Sequence, residues 1–146
     1  MPEIRETAEV KVDTDTLWKE VGGFGAVGDW HPMLQRVDVV ADGSEATRIA
    51  HGNEGSEQVE RLTHIDPSQH AYQYRMERSA LPVRDYVGRF QLEPLGANAS
   101  RVIWSAQFDL ADGADGKTIE SVRQFLHAGT ESLKRKYGAM RDSSAE

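Results

Sequence analysis

Glu60 is the acidic side chain whose position in the sequence could place it inside the fold. In the predicted strand at residues 57–65, Glu60 shares strand parity with Leu62, which predicts that both side chains face the inner side. A carboxylate that is buried without a partner costs several kcal/mol or takes up a proton. Glu60 therefore requires a partner, an ordered water or a ligand. A salt bridge near the sheet edge is an equally open alternative.

Two further side chains could exchange a proton beside Glu60. If the protein is an enzyme, Glu60 is the candidate general base, and Tyr86 or His31 is the candidate proton donor. Glu6 and Gln35 also fall on the inner side of their predicted strands. Because no acid–base pair stands at a diagnostic spacing, the residues alone do not decide between catalysis and binding.

One nucleotide-binding motif is matched in letters only. Residues 23–28 read Gly-Phe-Gly-Ala-Val-Gly, but the dinucleotide fingerprint needs a preceding strand, a following helix and a later acidic residue in a βαβ unit. Here a helical stretch comes before the motif, and residues 29–32 (DWHP) come after it. We therefore predict no nucleotide site and interpret the glycines as letting the loop bend under the sheet.

Composition limits the other function classes. The five histidines show no metal-ligand spacing and the chain has no cysteine, so we expect no metal, no disulfide and no cofactor. With 17 Lys and Arg against 24 Asp and Glu, the net charge of −7 disfavours nucleic acids and anionic membranes as partners. Residues 1–12 lack the apolar core of a signal peptide, and no stretch approaches transmembrane length. We expect a cytoplasmic protein without membrane insertion.

The elements that must position these side chains begin with a strand at residues 4–12. Asp13 is a natural N-cap for a short helix, and the glycines of residues 22–28 together with Pro32 then break the chain. Further strands are predicted at residues 35–41, 46–51, 57–65, 70–78, 84–93 and 100–110. Because no helices separate these strands, an antiparallel meander is predicted. An amphipathic helix at about 115–137, capped by Asp115, closes the chain.

Aromatic side chains share one face of the last three strands, and charged side chains share the other. The inner positions are Tyr72, Tyr74, Met76, Tyr86, Gly88, Phe90, Leu92, Val102, Trp104, Ala106, Phe108 and Leu110. An ordinary packed core is the simplest interpretation. A hollow is favoured because Gly88 and Gly129 remove side-chain volume where sheet and helix meet, and because buried Tyr and Trp need polar partners.

Three stretches resemble the START-like proteins of the polyketide cyclase/dehydrase (SRPBCC) type: residues 24–32 (FGAVGDWHP), 59–62 (VERL) and 81–86 (LPVRDY). The last two also resemble plant abscisic-acid receptors. The resemblance covers residues 3–137 and implies an α+β helix-grip (START/Bet v 1-like) fold. In that fold a curved antiparallel sheet of about seven strands wraps round a long C-terminal helix, with two short helices after the first strand. A single domain at 1–138 and a flexible tail at 139–146 are expected.

The resemblance also implies a deep pocket between the sheet and the last helix. By position, Glu60 and Tyr86 match polar pocket residues of the receptors, and Gln35 sits where the receptors have a lysine. The expected ligand-binding residues are Gln35, Glu60, Tyr72, Tyr74, Tyr86, Phe90, Trp104, Phe108, Phe125 and Gly129. The expected gate loops contain His51, Gly52 and Asn53 on one side and Leu81, Pro82 and Val83 on the other. Residues 51–55 lack the Ser-Gly-Leu-Pro gate of the receptors and the His-Arg-Leu latch is absent, which argues against a hormone-receptor role.

The residues and the resemblance leave two functions open. The favoured one is non-catalytic binding of a small, largely apolar molecule of lipid, polyketide or aromatic type. The other is an aromatase/cyclase or dehydratase that uses the same cavity with Glu60 as its base. A toxin–antitoxin-like or stress-related interaction module is a third possibility, but no residue or motif supports it specifically. The sequence leaves the oligomeric state open, a homodimer included.

Overall fold

The alternating strands become one antiparallel sheet in the computed structural model, which describes residues 2–42 and 45–138. The strands are β1 (Glu3–Val10), β2 (Leu34–Asp42), β3 (Glu45–Gly52), β4 (Glu57–Asp66), β5 (Ala71–Arg78), β6 (Val83–Gly96) and β7 (Ala99–Leu110). Their order across the sheet is β1-β7-β6-β5-β4-β3-β2. The helices are α1 (Thr14–Val21), α2 (Val27–Trp30) and α3 (Gly116–Tyr137), with a 3₁₀ turn at Pro67–Gln69. The predicted α+β architecture is confirmed.

The two predicted helix caps form as the sequence indicates. The side chain of Asp13 accepts a hydrogen bond from the backbone of Thr16 at 3.0 Å, and Asp115 accepts one from Lys117 at 3.0 Å. Each cap satisfies a backbone N–H that would otherwise lack a partner at the start of the helix. The predicted tail at 139–146 lies outside the described residues.

Helix α3 lies across the concave face of the sheet and packs mainly against β1 and β7. Its buried positions recur at helical spacing, which is why one face of the helix is apolar. Gly129 is the point of closest approach: a Cβ atom there would lie 2.5 Å from the ring of Trp104 and 2.8 Å from the ring of His31. The missing side chain therefore brings the two layers together and does not open a space between them.

The centre of the concave face is filled by aromatic rings. The ring of Tyr74 occupies the space that a side chain at Gly88 would need, and the indole N–H of Trp104 donates to the hydroxyl of Tyr74 at 3.0 Å. Phe90 packs between Trp30 and Tyr72, with ring centroids 5.6 and 5.4 Å away. The prediction that Gly88 and Gly129 mark a hollow is therefore wrong, because neighbouring rings take up the volume.

A β-bulge near the start of β2 changes the face that one predicted site residue occupies. The register against β3 shifts between Leu34 and Arg36, so Leu34 becomes the buried residue and Gln35 is exposed. Simple alternation had placed Gln35 on the inner side, and that placement is wrong. Bulges insert one extra residue into a strand, and the side chains before and after the bulge then follow different parities.

Candidate functional site

An apolar cavity of about 240 Å³ lies at one end of the concave face, and we call it the mouth cavity. It opens between the β3–β4 turn, the β5–β6 connection and the first half of α3. Its walls are Met33, Leu34, Gly52, Glu54, Ser56, Gln58, Met76, Ser79, Ala80, Leu81, Tyr86, Ser121, Val122 and Phe125. Methionine, leucine, valine and phenylalanine side chains form most of the surface, and a few hydroxyl, amide and carboxylate groups are spaced among them. This combination is typical of small-molecule sites.

Tyr86 reaches the mouth cavity because β6 is bulged beside it. The register against β7 shifts between Arg84 and Val87, and Asp85 adopts a left-handed backbone with φ of 53°. This arrangement lets Val83 and Tyr86 both face inward although they stand three positions apart. A non-glycine residue in this conformation costs about 1–3 kcal/mol and is held only where the surrounding structure fixes it. The bulge is therefore a local feature that serves to aim Tyr86.

The ring of Tyr86 is buried and stacks on Phe108 with centroids 5.5 Å apart. Burial is the main cause that raises its pKa above the ordinary value, and the carboxylate of Glu60 raises it further. The phenol consequently stays protonated at any physiological pH. In the mouth cavity Tyr86 can donate a hydrogen bond to a ligand, but it is not available as a base.

Phe125 forms the inner wall of the mouth cavity and separates it from His31. The two rings stack with centroids 4.0 Å apart. His31 Nε2 donates to the carbonyl of Phe125 at 2.8 Å, and Nδ1 accepts from the backbone of Met33 at 3.1 Å. Burial lowers the pKa of His31 to about 4, and the neutral ring is held by both nitrogens. His31 therefore fixes the packing of α3 and is not free to donate a proton to a ligand.

Glu60 is buried as predicted, but its partner is a cation that sequence reasoning missed. Arg48 lies directly opposite on β3, and Arg48 Nε donates to Glu60 Oε1 at 2.6 Å. The side chains are 1% and 6% exposed. The same guanidinium donates to the carbonyl of Phe24 at 2.8 Å and to the hydroxyl of Tyr72 at 3.1 Å. Of the two alternatives for Glu60, the salt bridge is the one that forms.

Arg48 is enclosed by aromatic rings as well as by hydrogen bonds. Its guanidinium carbon lies 4.3 Å from the ring centroid of Phe24 and 4.5 Å from that of Tyr74. Burial alone would lower its pKa, but the interactions with Tyr72 and Glu60 outweigh burial and the net pKa is raised. Cation–π contacts of this kind are strongest where water is excluded. The pair is thus a compensated unit inside the core.

The structure brings only part of the predicted ligand-binding set to the mouth cavity. Tyr86 and Phe125 line it, as do Gly52 and Leu81 from the predicted gate loops. The predicted residues that do not line it are His31, Gln35, His51, Asn53, Glu60, Tyr72, Tyr74, Pro82, Val83, Phe90, Trp104, Phe108 and Gly129. Most of these pack with one another in the core, because the deep end of the predicted pocket is filled.

Several wall residues were missed as site residues although a signal for them existed. Met76 and Gln58 share strand parity with Tyr74 and Glu60, so both face inward from the ends of their strands. Val122 stands one helical turn before Phe125 on the same face of α3. These residues share one end of the sheet. That common position can be recognised only when the register of the strands is known.

The predicted gate at residues 51–56 is a short hydrogen-bonded turn. The backbone of Gly52 donates to Ser56 at 2.8 Å, and Gly55 donates to Gly52 at 3.0 Å. Asn53 ties the turn to the chain before β2, since its backbone donates to Met33 at 3.1 Å and its side chain donates to Pro32 at 2.9 Å. Of the predicted gate residues, His51 and Gly52 belong to strand β3 and Val83 belongs to β6, and not to loops.

A second, polar hollow of about 410 Å³ lies beside α1 and the end of α3. Both of its carboxylates already have partners within the fold, because Asp13 caps α1 and Glu20 accepts from the hydroxyl of Tyr137 at 2.6 Å. Metal-binding groups of three or more acidic or histidine side chains are not found in residues 2–42 and 45–138. In the same ranges, none of the helices combines the length and the apolar composition that a membrane crossing requires.

Comparison with solved structures shows the same fold in several proteins. XoxI from Bacillus cereus superimposes with a TM-score of 0.87 at 22% identity, covering 94% of this chain and 96% of that one. The Zhui aromatase/cyclase from Streptomyces sp. R1128 gives 0.72 at 17% identity, covering 94% and 99%. Norcoclaurine synthase from Thalictrum flavum gives 0.67 at 16% identity, covering 92% and 84%. The helix-grip prediction is confirmed.

Sequence comparison assigns the family. No curated protein sequence matches the chain. A family model described as polyketide cyclase/dehydrase and lipid transport matches residues 1–138, which is nearly the whole chain. The chain therefore belongs to the polyketide cyclase/dehydrase and lipid transport family.

Proposed function

We propose that the protein binds a small, largely apolar molecule in the mouth cavity. The observation that carries the proposal is the composition of the walls, in which Met33, Met76, Leu81, Val122 and Phe125 surround a space that no side chain fills. Apolar walls supply the free energy of burial, and a few fixed polar groups orient the ligand. Membership of a family that includes lipid transport supports the same interpretation.

Tyr86 and Gln58 are the polar groups that would orient the ligand. Tyr86 is held by the β6 bulge and by stacking on Phe108, so its hydroxyl points from a rigid position. Gln58 supplies both a donor and an acceptor. A ligand with one hydroxyl or carbonyl group on an apolar body would satisfy both side chains.

A cyclase or dehydratase using the same cavity is the second candidate. It is favoured by the family description and by the fold likeness to an aromatase/cyclase. Against it, Glu60 is already paired with Arg48, and both ring nitrogens of His31 are bonded to backbone groups. Of the three predicted acid–base residues, only Tyr86 lines the mouth cavity, and a protonated phenol alone is a weak catalytic set.

Native mass spectrometry of freshly purified protein tests the binding proposal. We expect a co-purified small molecule or, after delipidation, saturable uptake of apolar probes. Ala80→Trp should reduce that binding, because Ala80 is an exposed wall residue and an indole there would fill the opening. Ala97→Trp is the matched control, since Ala97 is exposed in the β6–β7 turn away from the mouth cavity. Equal binding by both variants would place the ligand elsewhere.

Tyr86→Phe and Glu60→Gln separate the two candidates once a bound molecule is identified. If the protein only binds, loss of the Tyr86 hydroxyl should weaken affinity by the worth of one hydrogen bond, roughly two- to tenfold. In an enzyme, either change should abolish conversion of the bound molecule while leaving its binding nearly intact, and Glu60→Gln is compared only after its folding has been verified by circular dichroism, because it also alters the buried pair with Arg48. Product formation by wild-type protein that disappears in Tyr86→Phe would establish catalysis in place of simple binding.

A further inference from the structure

The charges on the walls of the mouth cavity limit which ligands can bind there. None of the described wall residues is a lysine, an arginine or a histidine. The ionisable side chains in the wall are Glu54, which accepts from Ser56 Oγ at 2.5 Å, and Tyr86. A ligand carboxylate placed here would lose its hydration without gaining a cation, which is costly in an apolar site.

Two basic side chains beside the mouth cavity, His51 and Arg78, are directed at carboxylates outside it. His51 and Arg78 each precede a wall segment in the sequence, and both contact Glu57: His51 Nδ1 lies 3.5 Å from Oε2, and Arg78 Nη2 lies 3.5 Å from Oε1. His51 Nε2 also contacts Asp38 Oδ2 at 2.9 Å. The guanidinium of Arg78 is thus balanced outside the cavity, and both ring nitrogens of His51 already face carboxylates there.

The buried cation behind the wall, Arg48, is not available to pair with a ligand carboxylate. Arg48 is paired with Glu60, and its other bonds go to the carbonyl of Phe24 and to Tyr72. At the wall itself, burial and the carboxylate of Glu60 both raise the pKa of Tyr86. The same surroundings that disfavour a tyrosinate disfavour a ligand anion beside it.

The volume of the mouth cavity limits the ligand as well. A dry, apolar cavity of about 150 Å³ suffices to hold benzene. At about 240 Å³, the mouth cavity accepts one ring with a substituent of a few atoms. The aromatic core around Tyr74 and Phe90 closes the deep end, so the part of a multi-ring body or a long chain that exceeds this volume would stay in water at the opening and gain no burial.

We propose that the mouth cavity selects an uncharged molecule of about one substituted aromatic ring and excludes carboxylates of the same shape. This inference rests on the proposed binding function and names its ligand class. It follows from the absence of a cation among the described wall residues together with the closed deep end. The selection works partly by exclusion, because an anion is rejected for lack of a partner.

Three probes test charge and size on the wild-type protein: benzamide, benzoate and pyrene-1-carboxamide. Isothermal titration calorimetry should show saturable benzamide binding and at least about tenfold weaker benzoate binding, since the two differ in charge and hardly in shape. The four-ring amide should not compete with benzamide. Benzoate binding as tight as benzamide binding would contradict the proposed exclusion of carboxylates. Tight binding of the four-ring amide would contradict the proposed limit of about one substituted ring.

Ser121→Lys adds a cation to the wall of the mouth cavity. It should reduce the difference in affinity between benzamide and benzoate. Ser121 is exposed on α3, so the change is tolerable for folding. Gln107→Lys is the matched control, because it adds the same charge on the exposed outer face of β7. If Gln107→Lys reduced this affinity difference as much, the proposed exclusion of carboxylates by the wall would be wrong. The net charge of the protein, and not the wall of the mouth cavity, would then determine the preference for benzamide.

The inference and the proposed function can fail separately. If benzamide does not bind while native mass spectrometry reveals a different co-purified molecule, the ligand class is wrong and the binding function stands. If neither benzamide nor any co-purified molecule is found, the binding function falls with it.

Discussion

Arg48 and Glu60 oppose each other directly on β3 and β4, with Nε and Oε1 2.6 Å apart and both side chains buried beneath Phe24 and Tyr74. The relationship accounts for how this sheet tolerates a carboxylate on its concave face. Each charge satisfies the other, and the remaining guanidinium donors reach a carbonyl and a hydroxyl. A charge pair of this kind is stable only as a pair, because either ion alone would be stranded without water.

Arg48→Met should therefore lower the free energy of unfolding by about 3–5 kcal/mol, the usual cost of removing one partner from a buried ion pair. Urea denaturation at neutral pH measures it. Arg36→Met is the control, since the Arg36–Asp38 pair at 3.3 Å is 63% and 49% exposed and should contribute less than about 1 kcal/mol. The double change of Arg48→Met with Glu60→Leu should recover much of the loss. Equal costs for Arg48→Met and Arg36→Met would contradict the burial of the pair.

The pH dependence of stability should report on His31. Burial lowers its pKa to about 4, whereas the unfolded chain has the ordinary value of 6.5. Between these values the unfolded state binds more protons, so the free energy of unfolding falls as the pH falls from 6.5 toward 4. One group contributes at most about 1.4 kcal/mol per pH unit. Above pH 6.5 the full contribution is present.

His31→Gln should remove this slope, which urea denaturation between about pH 6.5 and 5 measures above the range where most carboxylates titrate. His64→Gln is the control, because His64 is exposed and should leave the slope unchanged. A slope in His31→Gln equal to that of the wild-type protein would show that His31 is not held neutral by the fold.

Gly129→Ala should destabilise the protein even though alanine favours helix by about 1 kcal/mol over glycine. The new Cβ would lie 2.5 Å from Trp104 and 2.8 Å from His31, and overpacking of this kind costs about 1–3 kcal/mol. Gly116→Ala in the same helix meets nothing within 4 Å and should be neutral or slightly stabilising. A shift of thermal midpoint in the same direction for both variants would mean that α3 does not sit against the rings as described.

Much of the fold follows from local pattern. Alternation predicts which side chains of β5, β6 and β7 face inward, and Asp13 and Asp115 mark the starts of α1 and α3. Arg48 could also have been predicted as the partner of Glu60. If the predicted strands at 46–51 and 57–65 pair end to end across the turn, residue 51 faces 57 and residue 48 faces 60, as observed.

The remaining differences between the predictions and the structure arise from tertiary packing, which the alternation of residues along a strand does not predict. A bulge at Leu34 turns Gln35 outward, and no residue type at that position announces it. The ring of Tyr74 fills the space beside Gly88, which reverses the meaning of a glycine on an inner face. Whether a glycine marks a cavity or a close contact depends on which neighbouring ring reaches it. The site consequently lies at one end of the predicted pocket and not in its depth.

Phe125→Ala should change ligand size preference, because this ring forms both the inner wall of the mouth cavity and the stacking partner of His31. Removing it joins the cavity to the space above His31, so 2-naphthamide should gain affinity relative to benzamide. Competition by calorimetry measures the ratio. The stability cost should stay below the about 3–5 kcal/mol of a fully buried phenylalanine, since Phe125 is only partly buried.

Leu133→Ala controls for destabilisation in this size test. Leu133 is fully buried two turns further along α3 and does not line the mouth cavity, so its loss should cost about 2–5 kcal/mol without altering the ratio of the two affinities. A rise in the naphthamide-to-benzamide ratio in both variants would show that loosening of α3, and not the wall at Phe125, sets the size limit. A rise in Phe125→Ala alone would locate the ligand against that ring, because only there does the lost side chain border the cavity.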